Sequence, residues 1–216
     1  MRAIIIAAGH TGADEAGQCW EQEWDLIIGA DGGASRALSW GLVPHLVIGD
    51  MDSLLNEDRA ALAAQGCRFV VHPRAKDETD LELALTHAVQ QGAREIVIMG
   101  ALGARLDHTL ANVLLLALPE FQGVSVRIVD GEGEVMMVRS GERASLKGKT
   151  GDLVSLLPVC GPAHGVTTAG LAWALEDDTL LFSSTRGISN EMTAPVAHIE
   201  VGRGYLLVVH GPSPEN

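Results

Sequence analysis

Up to about residue 125 the chain repeats one pattern, a short apolar run followed by a helix-length spacer. Residues 3–8, 25–30, 46–49, 69–71, 95–99 and 124–129 read as strands, several of them apolar on both faces. Residues 33–40, 56–65, 79–91 and 107–118 read as helices between them. A strand apolar on both faces must be covered on both, so this alternation predicts a mainly parallel sheet with helices on either side, a three-layer α/β domain. Two helix starts carry cap chemistry. Thr79-Asp-Leu-Glu82 fits a capping box, followed by Leu81, Ala84, Leu85 and Ala88 at helical spacing. Asp107 is placed to cap the next helix, with Leu110, Leu114, Ala117 and Leu118 as its expected buried stripe. Such helices begin at the carboxyl edge of the strands, where α/β sheets bind ligands.

After Pro119 the pattern changes. Residues 135–138, 143–146, 152–157, 180–183, 196–201 and 205–209 are short strand candidates separated by Gly, Pro and polar turns, with no strong amphipathic helix among them. This predicts a smaller all-β antiparallel domain. The expected division is an α/β domain over 1–125 and a β domain over 130–216, ending in a loose tail at 211–216.

Charge narrows the partners. Asp plus Glu outnumber Lys plus Arg by 28 to 15, a net charge of -13. That argues against a protein that grips a nucleic-acid backbone, which needs basic surface. A nucleotide stays open, because a bound divalent ion reverses the local sign a phosphate meets. Cys19, Cys67 and Cys160 are scattered, without a CxxC pair, and argue against a disulfide framework or structural zinc. The apolar run at the N-terminus is too short for a signal-peptide core, and the polar stretch 9–15 follows it. No stretch approaches membrane-spanning length. The expectation is a cytoplasmic protein with no nucleic-acid or membrane partner.

Four acidic clusters carry the chemical signal: Asp31-Gly32-Gly33, Asp50-Met-Asp52-Ser53, Asp77-Glu-Thr-Asp80 and Arg105-Leu-Asp107-His. Asp50 and Asp52 leave the run 45–49 with one residue between them, so both can project into one crevice. Carboxylates that close are costly to ionise together unless a cation lies between them. Magnesium is such a cation and favours a few carboxylates plus phosphate oxygens. A turn stabilised by Asp and Ser53 side chains is the plainer alternative. Asp77 and Asp80 flank a helix mouth, where acidic residues also serve the helix dipole. Arg74, Lys76 and Arg105 are either surface charges or partners for phosphate oxygens. Gly32, Gly33 and the segment Gly100-Ala-Leu-Gly103 allow close backbone approach to a ligand. Neither a Walker loop nor a full GxGxxG is present, so phosphate binding would rest on metal, arginine and helix N-termini. The eight histidines, from His10 to His210, show no zinc spacing. In the second domain the polar stretch 183–191 is a structural turn or a ligand loop, and Trp173 either fills the small core or stacks on a flat ring.

Taken in order, Ala30-Asp-Gly-Gly-Ala-Ser35, Gly49-Asp-Met-Asp-Ser53, Asp77-Glu-Thr-Asp80, Gly100-Ala-Leu-Gly-Ala-Arg-Leu-Asp-His108 with Asn112, and Thr185-Arg-Gly-Ile-Ser-Asn-Glu191 resemble the thiamine pyrophosphokinase (thiamine diphosphokinase) family across nearly the whole chain. The resemblance implies an N-terminal α/β domain that binds ATP and Mg2+, a β-sandwich-like domain that binds thiamine, and a homodimer. It implies transfer of diphosphate from ATP to the thiamine hydroxyl, with AMP released. It implies that Asp50, Asp52, Asp77 and Asp80 organise magnesium and phosphates, that Arg105 and Asp107 complete the reacting centre, and that Asp31 with Gly32 and Gly33 lines the same cleft. Ser53 and Gly103 fall in the matching motifs and would bind the nucleotide, and Arg74 and Lys76, which lie just before Asp77 in sequence, are the candidate partners for its phosphate oxygens. Trp173, Thr185, Arg186, Ser189 and Asn190 would hold thiamine, in part across the dimer interface. Two departures stand out: Thr185 where bacterial members commonly have Ser, and Ala172 where the family often has Lys. A pyrophosphokinase acting on a pterin alcohol and a noncatalytic thiamine- or nucleotide-binding protein are the alternatives.

Overall fold

A computed structural model describes residues 1–9, 23–103 and 105–213. Cys19, His10, most of the polar stretch 9–15, Ala104 and the end of the tail lie outside the described residues. The chain divides into two compact units, Met1–Gly131 and Glu132–Asn216.

The first unit is built on six parallel strands in the order β4–β3–β2–β1–β5–β6. They are β1 (Arg2–Ile6), β2 (Leu26–Ala30), β3 (Leu46–Gly49), β4 (Arg68–Val71), β5 (Glu95–Met99) and β6 (Ser125–Asp130). The helices are α1 (Gly33–Ser39), α2 (Asn56–Ala64), α3 (Asp80–Gln90) and α4 (Leu106–Leu115). Ile4 and Ile6 pack with Ala37 of α1 on one face of the sheet, and Ile5, which alternation turns to the other face, is equally buried. Both faces are therefore covered, as the apolar runs predict. β4 is the exception: it is the edge strand, and Val71 is exposed. The order runs outward from β1 to β4 and then resumes with β5 on the other side of β1. That reversal opens a crevice at the carboxyl ends of β1 and β5.

The second unit is antiparallel throughout. Its strands are β7 (Gly133–Arg139), β8 (Arg143–Lys147), β9 (Leu153–Ala169), β10 (Asp178–Leu180), β11 (Asn190–Glu191), β12 (Val196–Glu200) and β13 (Arg203–Gly211). The early part of β9 pairs with β13, which pairs with β7, and its last residues pair with β12, which pairs with β8. Val154 and Leu156 from the early part, Ala163 and Val166 from the later part, and Leu206 and Ile199 from its partners enclose one apolar core, a sandwich in which β9 serves both sheets. The sequence reading stops this strand at residue 157 because Pro158, Gly161, Pro162 and Gly165 read as a turn. In the structure Cys160 at φ 60 and Gly161 at φ 131 bend the strand from one partner to the other without ending it. Among the described residues no helix is long and apolar enough to cross a membrane.

Candidate functional site

A cavity of about 520 Å³ sits at the carboxyl ends of the first unit's strands, a volume suited to a small molecule. Its wall is made by the residues that follow β1 (Ala7 to Gly9), β2 (Asp31, Gly32) and β5 (Gly100 to Gly103), with Ser53, Arg74, Lys76, Asp80, Arg105, His108, Thr109 and Asn112 around them. Each strand delivers its following loop here because the sheet is parallel and reverses its order between β1 and β5.

Asp31 leaves β2 in a left-handed turn, φ 44, with its N–H bonded to Ile48 O at 2.9 Å. Met51, φ 63, makes the second such turn just after β3. Positive φ costs a non-glycine residue energy, and here two such turns aim Asp31, Asp50 and Asp52 at one point. One carboxylate oxygen from each lies within 4.8 Å of the others. Local bonds hold the turn: Asp50 Oδ1 accepts the Asp52 N–H at 3.2 Å, the Ser53 hydroxyl donates to Asp52 Oδ1 at 3.0 Å, and the Ser53 N–H reaches Asp31 Oδ2 at 3.3 Å. The plain turn and the convergent carboxylates thus coexist. Asp31 is 7% exposed, and its Oδ1 is buried without a hydrogen-bond partner. Burial pushes its carboxyl above the usual range, against the Ser53 hydrogen bond, and the charges of Asp80 and Asp50 push it further up.

Asp80 opens α3, where the Thr79 hydroxyl caps the Glu82 N–H at 3.2 Å. Gly49 explains how Asp80 comes so close to Asp31: a Cβ there would stand 2.8 Å from Asp31 Cβ and 3.0 Å from Asp80 Cγ. Only glycine leaves both aspartates room. Lys76 Nζ pairs with Asp80 Oδ1 at 2.8 Å. Burial alone would push this ammonium down, but Asp80, with the more distant charges of Asp50 and Asp31, holds it above its usual value. Arg74 stands 3.6 Å from Asp52 in an exposed pair.

Several candidates fall elsewhere. Asp77 is exposed and belongs neither to the cavity wall nor to the carboxylate trio. Asp107 is not a cap: α4 starts at Leu106, and Asp107 instead pairs with Arg105 at 2.6 Å on the surface. Gly33 serves packing, not a ligand, since a side chain there would strike the carbonyl of Ile6 on β1. Gly103 is exposed at the cavity rim, its N–H donating to the Thr109 hydroxyl at 3.1 Å. The expected buried stripe of α4 does not form: its last two members, Ala117 and Leu118, are half-buried beyond the end of the helix, and its first two are exposed. Leu110 is 55% exposed and Leu114 is exposed with it, while His108, Thr109 and Asn112 line the cavity. Asn112 is buried and donates to Ala101 O at 2.6 Å. His108 and Asn112 stand in the sequence motif quoted above without a role assigned to either, and Thr109 between them went unremarked; the signal for a shared role is the spacing of His108 and Asn112, four residues apart on one helix face.

In the second unit Trp173 is 61% exposed, so it is not a core residue. Asn190 is buried and clamps the Trp173 backbone: its Nδ2 donates to Trp173 O at 2.8 Å and its Oδ1 accepts the Trp173 N–H at 3.0 Å. Arg186 makes a two-pronged pair with Asp178 of β10. The Thr185 carbonyl accepts the Ile188 N–H at 3.1 Å, closing a turn, and Ser189, φ 58, donates its N–H to the Ser155 hydroxyl at 3.1 Å. Trp173, Leu181, Phe182 and Ile188 are all exposed around this loop.

Known proteins resemble both units. The family model described as "Thiamin pyrophosphokinase, catalytic domain" matches residues 16–128, and that described as "Thiamin pyrophosphokinase, vitamin B1 binding domain" matches residues 143–206. The thiamine pyrophosphokinase of Bacillus subtilis (strain 168) is 29% identical over 212 residues, 97% of this chain and 98% of that one. A crystal structure of thiamine pyrophosphokinase from Bacillus subtilis superposes with a TM-score of 0.86 at 26% identity, covering 99% of this chain and 100% of that chain. One from Geobacillus thermodenitrificans gives 0.83 at 26% identity, covering 100% and 99%.

Proposed function

The chain belongs to the thiamin pyrophosphokinase family, and from that premise we propose that it transfers diphosphate from ATP to the hydroxyl of thiamine, giving thiamine diphosphate and AMP. The observation that carries the phosphate chemistry is the convergence of Asp31, Asp50 and Asp52 beside the cavity, with Asp31 Oδ1 buried and unpartnered. An all-oxygen donor set of this kind fits Mg2+, with Asp31, Asp50 and Asp52 as its holders and Asp80 close by. Asp77 drops out of that set. When bound, the ion would offset the charge of the phosphate oxygens and of the carboxylates together.

The chain's own groups would do the rest. Gly32, Ser53 and Gly103 line the cavity with backbone and hydroxyl groups, and Arg74, Lys76 and Arg105 stand on its wall as cations for phosphate oxygens. The thiamine oxygen attacks the β-phosphorus in line, the bond to the α,β-bridging oxygen breaks, and AMP departs with that oxygen. The hydroxyl proton leaves to water or to a nearby carboxylate. In the second unit Trp173 offers an exposed ring to stack on thiamine, beside Thr185 and Ser189. Asn190 and Arg186 act one step back, holding Trp173 and the loop in place. The reading includes a homodimer, for which the exposed Leu106, Leu110 and Leu114 stripe on α4 is a suitable surface.

The decisive test is formation of AMP from ATP with thiamine present and absent. Thiamine-dependent AMP is expected, and it should vanish with excess chelator. AMP formed only with a pterin alcohol, or none at all, sinks the proposal. Asp52→Asn should keep the fold and lower turnover by roughly 10²-fold, the scale of losing a key electrostatic element.

A further inference from the structure

Four carboxylates cluster beside the cavity: Asp31 and Asp80, close together across Gly49, line its wall, and Asp50 and Asp52 converge on Asp31 without lining it. Of the three basic residues on the wall, Arg74 and Arg105 are largely in solvent, whereas the Lys76 side chain is only 12% exposed. A buried ammonium is costly unless paired, and this one is paired with Asp80 at 2.8 Å. Lysine suits a changeable role, being a compact charge on a flexible stem, without the fixed fork of arginine.

We propose that Lys76 is the resident counter-ion of this carboxylate cluster and a positioning residue that makes divalent-cation binding depend on an accompanying polyphosphate. The inference rests on the phosphate-binding reading of the site. Without nucleotide, the ammonium already offsets part of the cluster's charge and repels an incoming cation. When the cation arrives with a polyphosphate, Lys76 has new anionic oxygens to face in the same cavity, and its repulsion of the cation is relieved. A free cation therefore binds weakly and a cation with nucleotide binds well. The unpartnered, buried Oδ1 of Asp31 is the independent sign that the cluster is a cation site and not a surface acidic patch.

The test is calorimetry of the full-length protein with Mg2+ alone and then with Mg2+ in the presence of ATP, thiamine being left out. Lys76→Met should bind Mg2+ alone on the order of tenfold more tightly than wild type, the scale of removing one unit charge a few ångströms away at the screening near a protein surface. The same variant should gain less from ATP. Lys76→Arg, which keeps the charge, should bind Mg2+ alone as weakly as wild type. Arg74→Met, which removes an exposed charge, should shift Mg2+ affinity by less than about threefold because solvent screens it. If Lys76 only braces the start of α3, Lys76→Met will melt earlier and bind Mg2+ no more tightly, which overturns the proposal. Equal Mg2+ affinity in wild type, Lys76→Met and the second neutral variant Lys76→Gln overturns it as well. No Mg2+ binding by any of them, with or without ATP, removes the cation site itself and the proposed function's metal along with it.

Discussion

Asn190 shows what a single side chain does in the second unit. Its amide is buried and makes three hydrogen bonds, accepting the N–H groups of Trp173 and Glu191 at 3.0 and 2.9 Å and donating to Trp173 O at 2.8 Å. Those bonds fix the backbone that carries an exposed indole. Ser183 and Ser189, at φ 65 and 58, and Asp177, at φ 50, bracket the same loop with left-handed residues. Such conformations persist only where the surroundings impose them, and the two-pronged Asp178–Arg186 pair is part of that surrounding. Asn190→Ala leaves the Trp173 N–H and carbonyl without their partners, so it should cost about 1–3 kcal/mol in urea unfolding. Its kinetic signature should be a raised KM for thiamine with Mg2+ affinity unchanged, since Asn190 and the carboxylate cluster belong to different units. An unchanged KM would mean that Trp173 needs no clamp.

At the scale of elements, α4 gives the sharpest contrast between pattern and structure. Its leucines recur every four residues, a pattern that reads as a buried stripe, yet the structure buries the face carrying Asn112 and Leu116. Asn112→Ala should therefore cost about 1–3 kcal/mol by leaving Ala101 O without its donor. Leu110→Gln should change unfolding free energy by less than about 0.5 kcal/mol, as an exposed position allows. The same substitution should weaken the proposed dimer, read as a shift toward monomer in sedimentation. The reverse ranking in urea would restore the buried-stripe reading. The parallel sheet itself was legible, because a strand such as β1 is apolar at every inner position and periodicity reports that directly. Asp31, Asp50 and Asp52 were legible as neighbours of strand ends. Their exact partnership was not, since it depends on two left-handed turns at Asp31 and Met51 that residue type does not announce, and Asp77 looked as qualified as Asp80. The full length of β9 was hidden by prolines and glycines that bend a strand without ending it.

For the molecule as a whole, the group that ties the second unit together is a histidine that spacing rules pass over. His210 on β13 is buried, with Nδ1 3.2 Å from Glu134 Oε1 on β7 and Nε2 at an ion-pair distance of 3.5 Å from Asp152 Oδ2 in the turn before β9. The turn is fixed in turn by the Lys149 N–H, which donates to the same Asp152 oxygen at 2.7 Å, and Gly148 leaves the room His210 needs. The Glu134 hydrogen bond raises the imidazole above its ordinary value of 6.5; burial opposes this, and the charges of Glu134 and Asp152 reinforce it. A histidine whose folded value is raised binds its proton more tightly in the native state than in the unfolded chain. Its contribution to stability is then complete below about 6.5 and is lost as pH climbs from there through the folded value. Wild type should exceed His210→Gln in unfolding free energy by most at pH 6, and the gap should narrow steadily above that pH, because glutamine does not titrate in this window. Two half-buried carboxylates facing an imidazole that has lost its charge are the physical reason for the narrowing. A gap that stays constant from pH 6 to pH 9 would show that folding leaves the imidazole's hold on its proton unchanged, and a gap that widens above pH 6 would show that His210 is held neutral in the fold.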